Sequence, residues 1–232
     1  MPGDNVQSYE LLRVEPSALG WTAGVYGIYA GILGGEHGFF KALQGNTATA
    51  HIRVFAVSWE LPFPFGHEPA MTLIPNFLAT GIAAMLCSVV MIAWSARFIR
   101  GKRGGVVLAL LSVVLLLVGG GFGSISLLIV ACIAASRMGK PLRMSRRVVP
   151  PVLCHALARL WPWVFAASLV WVPVEFVAGQ IFHLQNDRRQ ILTNLNLLFT
   201  YPMLGLFLLE LASAIARGIE GQNSGTVSSK AT

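Results

Sequence analysis

Charge is what this chain lacks most. Of its 232 residues only 12% are charged and 55% are hydrophobic, whereas about a quarter of a soluble domain is charged. With a mean hydropathy of +0.66, its apolar side chains exceed what one aqueous core takes up, so a membrane domain without a separate soluble domain is expected. Cysteine is scarce as well. Cys87, Cys132 and Cys154 form no Cys-x-x-Cys pair, which removes thioredoxin-like and zinc-ribbon readings. Placed in or beside apolar segments, they read as small buried groups. There is no Gly-x4-Gly-Lys-Ser/Thr phosphate loop, no Gly-x-Ser-x-Gly elbow and no Ser-His-Asp order. No basic start with a short apolar core precedes Ser17, so the first apolar segment is expected to be retained rather than cleaved as a signal.

What is present is a set of apolar stretches separated by short polar links. A crossing helix needs about 20 apolar residues. Spans are expected over roughly Ala18 to Gln44, Ala70 to Ile99, Ala156 to Phe182 and Ile191 to Ile215. Between the second and third of these lies Val106 to Ala135, two aliphatic runs around Gly119-Gly120-Gly121-Phe122-Gly123-Ser124. One straight helix of that length would be about 45 Å long, too long for a core of about 30 Å. Basic clusters flank it on both sides, Arg97 to Arg103 and Arg137 to Arg147. Positive loops stay on the cytoplasmic side, so the stretch is expected to turn back at its glycines. The fold class is thus all-α: an integral membrane bundle of about six transmembrane helices, two of them a short Gly-turned hairpin. Residues 1–17 form a cytoplasmic N-terminal segment, 18–217 the membrane domain, and 218–232 a polar, Gly/Ser-rich tail read as disordered. Both termini are placed in the cytoplasm of a plasma membrane, leaving only Lys41, Arg53, Arg188 and Arg189 of the basic residues outside. The net charge of +7 is then a topology signal, and no nucleic-acid partner is expected.

In the first span Gly20, Gly24, Gly27, Gly31, Gly34 and Gly38 recur every three or four residues. Such a stripe lets a second helix approach closely, which is how helices gain packing in lipid. The face Asn76, Thr80, Ala83 and Cys87 of the second span is the expected mate. Between the two spans, His51 to Trp59 reads as a short strand or an interfacial segment, and the Pro/Gly-rich run to Pro69 forbids a regular helix.

Ionisable groups inside a membrane cost several kcal/mol and are functional candidates by default. Glu36, His37, Glu175 and Glu210 qualify as ion or proton sites. Glu36 and His37 adjoin near the outer end of the first span, where a carboxylate beside an imidazole could relay protons or bind a metal. Glu175 follows Pro173, whose ring frees a carbonyl one turn back. Glu210 lies nearer the inner face and is expected to snorkel toward water. A metal ion is the one cofactor considered, held on the outer side by His37, His67, Glu68 and His183, although their spacing matches no ligand motif.

The strings Tyr26-Gly27, Gly34-Gly35-Glu36-His37-Gly38 and Leu43-Gln44-Gly45-Asn46, with Glu68-Pro69-Ala70-Met71-Thr72-Leu73-Ile74-Pro75-Asn76 and Val118-Gly119-Gly120-Gly121-Phe122-Gly123, resemble those of small polytopic bacterial membrane proteins of unassigned function. The resemblance spans about the first 135 residues. It implies a prokaryotic plasma membrane and carries over no site residue. Function is expected to be non-enzymatic, helix packing alone or as a subunit that meets other membrane subunits or itself within the lipid bilayer. The alternatives are a small proton- or cation-coupled transporter or channel, and a membrane enzyme or metal handler using the outer His and Glu residues.

Overall fold

The computed structural model describes residues 17–55, 69–140, 142, 150–183 and 190–228, with side chains for 17–54, 70–140, 142, 150–174 and 201–222. Its elements, in chain order, are α1 (Ala18–Leu43), β1 (Arg53–Phe55), β2 (Pro69–Met71), α2 (Phe77–Arg97), α3 (Gly104–Leu117), α4 (Phe122–Arg137), α5 (Pro151–His183) and α6 (Gln190–Ser228). Three helical segments, Phe77–Arg97, Pro151–Val174 and Tyr201–Gln222, are long and apolar enough to cross a membrane, while α3 and α4 are apolar but shorter. Large apolar side chains such as Leu86, Val89, Leu110, Trp163 and Leu208 point outward along these helices, as helices bathed in lipid require.

α1 is the central helix. It packs on α2, α4 and α6, and Leu108 and Leu115 of α3 reach it at Gly27 and Gly34. That position explains its composition: buried against other helices, it needs small residues rather than lipid-facing ones. Ser17 starts it by accepting from the Gly20 amide at 3.2 Å. The glycine stripe is used within the chain. A side chain on Gly31 would strike Ile92, and one on Gly38 would stand 2.8 Å from the Gly81 carbonyl oxygen. Gly81 returns the approach, since a Cβ there would lie 2.5 Å from both the Ala42 nitrogen and the Gly38 oxygen.

The mating face of α2 is therefore Gly81, Ala84, Ser88 and Ser95, not Asn76, Thr80, Ala83 and Cys87. The helix starts only at Phe77, with the Asn76 side chain capping the Ala79 amide at 3.0 Å. Ala70 and Met71, read from sequence as the start of the second span, belong instead with Pro69 to a strand paired antiparallel with β1, Arg53 opposite Met71. This small ribbon is the one departure from an all-α fold among the described residues. Cys87 turns to α3, with its Sγ 3.7 Å from the Leu111 carbonyl.

The stretch from 106 to 135 does turn at its glycines. α3 and α4 run antiparallel, Gly105 against Ala135 and Ser112 beside Cys132. Gly119 and Gly121 carry φ of +91° and +81°, a region that side chains disfavour by about 1–2 kcal/mol. The arms hold 14 and 16 residues, about 21 and 24 Å at 1.5 Å per residue.

α5 and α6 pack chiefly on each other. The tail expected to be irregular from Gly218 is helical to Ser228. Tertiary contacts hold this extension: Ile219 is buried, and Gln222 gives its amide to Lys140 O at 2.9 Å and accepts the Leu142 N–H at 3.2 Å. One end of the bundle gathers Arg97, Arg100, Lys102, Arg103, Arg137 and Lys140 at the ends of α2 and α4 and the start of α3, while Arg217 lies within α6.

Candidate functional site

Two polar centres lie inside the bundle, at opposite ends of α1. The first surrounds the glycine turn between α3 and α4. Lys41, a completely buried lysine one turn beyond His37, donates from Nζ to the Gly119 carbonyl. Thr80 donates to the Val118 carbonyl at 2.8 Å and sits 2.5 Å from the Thr72 hydroxyl. The Leu73 amide reaches Leu117 O at 2.9 Å. Ser124 Oγ lies 2.8 Å from Gly120 O and 2.9 Å from Gly121 O. The buried His37 ring lies against Gly121, where a Cβ would stand 2.6 Å from Nε2, and its Nδ1 is 3.2 Å from Leu33 O. The carbonyls of residues 117–119 thus each have a protein donor, and those of Gly120 and Gly121 share the Ser124 hydroxyl. A turn sealed in this way can lie where water is scarce, because irregular backbone is tolerated there only when protein satisfies it.

The second centre is a junction of α1, α5 and α6. Glu210 of α6 is 0% exposed. Its Oε1 lies 2.6 Å from Thr22 Oγ1 of α1 and accepts the Trp161 indole N–H of α5 at 3.3 Å. Its Oε2 has no hydrogen-bond partner, and no basic group is within ion-pair distance of it among the described residues. Tyr26, one turn along α1 from Thr22, lies within electrostatic reach of Glu210, and its buried hydroxyl faces Ser168 of α5. The Tyr26 ring packs on Phe207 at 5.4 Å, and Trp161 stacks on Phe165 at 5.3 Å. Arg217 is turned away from the carboxylate, lying over the Trp161 ring at 5.2 Å and donating to Ala158 O at 3.3 Å.

The residues singled out from sequence fall differently from what was expected. Glu210 does not snorkel; Thr22 and Trp161 hold it inside. Glu36 is half-buried on α1, while its neighbour His37 faces the glycine turn. The side chains of Glu175 and His183, and all of His67 and Glu68, lie outside the described residues. Among the described residues no three His, Cys, Asp or Glu side chains converge as a metal site. Lys41, Thr22, Tyr26 and Trp161 were missed. The signal was there in part: Thr22 and Tyr26 are four apart on one helical face, and Phe207, Glu210 and Ser213 are three apart on another. Nothing in the sequence pairs the two faces.

No family model, curated protein or solved structure matches this chain.

Proposed function

We propose that this chain is a multi-pass plasma-membrane protein that works as a small proton- or cation-coupled transporter or channel, with Glu210 as its ion-binding group. The observation carrying this reading is a completely buried carboxyl held by a hydroxyl and an indole, with no basic partner among the described residues. A structural carboxylate buried in lipid is ordinarily paired; one left without a counter-ion is suited to take up a cation from outside the protein. In this topology α1, α2, the α3–α4 hairpin, α5 and α6 give six passages. The basic end of the bundle and both termini are cytoplasmic. Purified protein in liposomes should carry a pH- or cation-gradient-driven flux that Glu210→Gln removes. Flux equal to protein-free liposomes in the unmodified protein would overturn the reading.

A packing subunit of a larger assembly is the second reading. It is favoured by the exposure of α5, whose Pro151–Val174 segment is less buried along its most apolar stretch than the other two spans. The glycine stripe no longer supports it, since α2 and α3 of the same chain already occupy most of that face. Recovery of a stoichiometric membrane partner on gentle solubilisation would favour this reading over transport.

A further inference from the structure

The geometry points to a proton as the ligand of Glu210, with the Thr22 hydroxyl as the switch between the charged and the protonated state. This rests on the transport reading for its purpose and on hydrogen counting for its chemistry. A threonine hydroxyl owns one hydrogen. Thr22 Oγ1 has two partners, Ala18 O at 3.0 Å and Glu210 Oε1 at 2.6 Å. The Ala18 carbonyl can only accept. The Glu210 oxygen can accept when the carboxylate is charged and donate when it carries a proton.

Both states fit the same heavy atoms. In the charged state Thr22 aims its hydrogen at Oε1, which also takes the Trp161 N–H. When a proton arrives from water and bonds to Oε1, the new O–H donates to Thr22 Oγ1. Thr22 then rotates its hydrogen onto Ala18 O. No backbone atom has to move, and no cavity for a hydrated metal cation is required. Loss of the proton to water reverses the rotation. The switch bears on packing because Thr22 and Trp161 are the hydrogen-bonded links that Glu210 makes from α6 to α1 and α5.

The surrounding groups leave the carboxyl as the titrating member. Of the titratable groups on packed elements, Tyr26 of α1 is the one within electrostatic reach among the described residues. Arg217 of α6 is turned onto Trp161. His155 and Arg159 of α5 are exposed, with His155 on Glu220 at 2.8 Å. On α4, Cys132 lies beside Ser112, and Arg137 is at the exposed end.

Trp161 reports directly, since its indole donates to the carboxyl. The test is a pH titration of tryptophan emission on the full chain in lipid nanodiscs, in choline buffer and again with sodium or potassium at fixed pH. The expected result is one transition that Glu210→Gln and Trp161→Phe both remove and that alkali cations leave unchanged. Thr22→Val, of nearly equal volume, should move its midpoint to higher pH by about one unit, because the charged form loses its stronger donor. Thr22→Ser should restore the native midpoint. A transition that persists in Glu210→Gln, or a midpoint indifferent to Thr22→Val, overturns the switch. A Glu210-dependent response to sodium or potassium also overturns it, in favour of a metal-cation site. Should Thr22→Val fail to fold, Thr22→Ala is read by the same criterion. A titration with these properties in a protein without flux would sink the transport reading and leave the proton site standing.

Discussion

Lys41 and Glu210 are both completely buried, both ionisable and both close to α1, yet they are built differently. Lys41 sits in a web whose purpose is visible: it is one of several donors that satisfy the carbonyls of a turn with two left-handed glycines. Removing the web would leave polar backbone in an apolar setting. Glu210 satisfies no such need. It is approached by donors on one oxygen only, while the other oxygen has none among the described residues. A buried charge that answers a demand of the backbone is part of the scaffold. One that creates an unmet demand of its own has to be explained by something the scaffold does not need.

That contrast can be broken most severely at the glycines. Gly121→Ala places a side chain at φ +81° and against the His37 ring. The backbone and overpacking costs together are about 3 kcal/mol, seen as a large loss of thermal stability in detergent. Gly81→Ala should match it, because the colliding atoms are backbone of α1 that cannot step aside. Next comes Lys41→Met, which keeps most of the side-chain volume and strips the Gly119 carbonyl of its donor; a loss of about 1–3 kcal/mol is expected. Glu210→Gln should fall well below that, within about 1 kcal/mol, since an amide fills the same space and can still meet Thr22 and Trp161. If Glu210→Gln proves as damaging to stability as Lys41→Met, the division into scaffold and site fails. The smallest effect is reserved for His155→Ala. The His side chain is 64% exposed and that of its partner Glu220 37%, so the change should be within about 0.5 kcal/mol.

Much of the architecture was legible in the residues. The glycine spacing marked α1 as a close-packing helix, and the basic clusters either side of 106–135 called for a turn where Gly119 and Gly121 do turn. The boundaries were less legible. Met71 to Asn76 are apolar enough to pass for the start of a helix, but pairing with β1 and the Asn76 cap delay it to Phe77. The α2 face that meets α1 runs through Gly81, Ala84 and Ser88, where the glycines of α1 let the two backbones approach. The C-terminal stretch reads as a tail by composition, and it is helical because Ile219 is buried and Gln222 bonds to Lys140 and Leu142, 82 and 80 positions back in the chain.

Composition and periodicity alone determined that the chain is apolar, helical and turned at its glycines, because those properties depend on each residue's own transfer energy and on its neighbours three or four positions away. Which buried ionisable group is satisfied and which is not was decided only in three dimensions. Lys41 meets Gly119 and Thr22 meets Glu210 across 78 and 188 positions of sequence, and hydrogen-bond satisfaction depends on distances of a fraction of an ångström that no local pattern encodes.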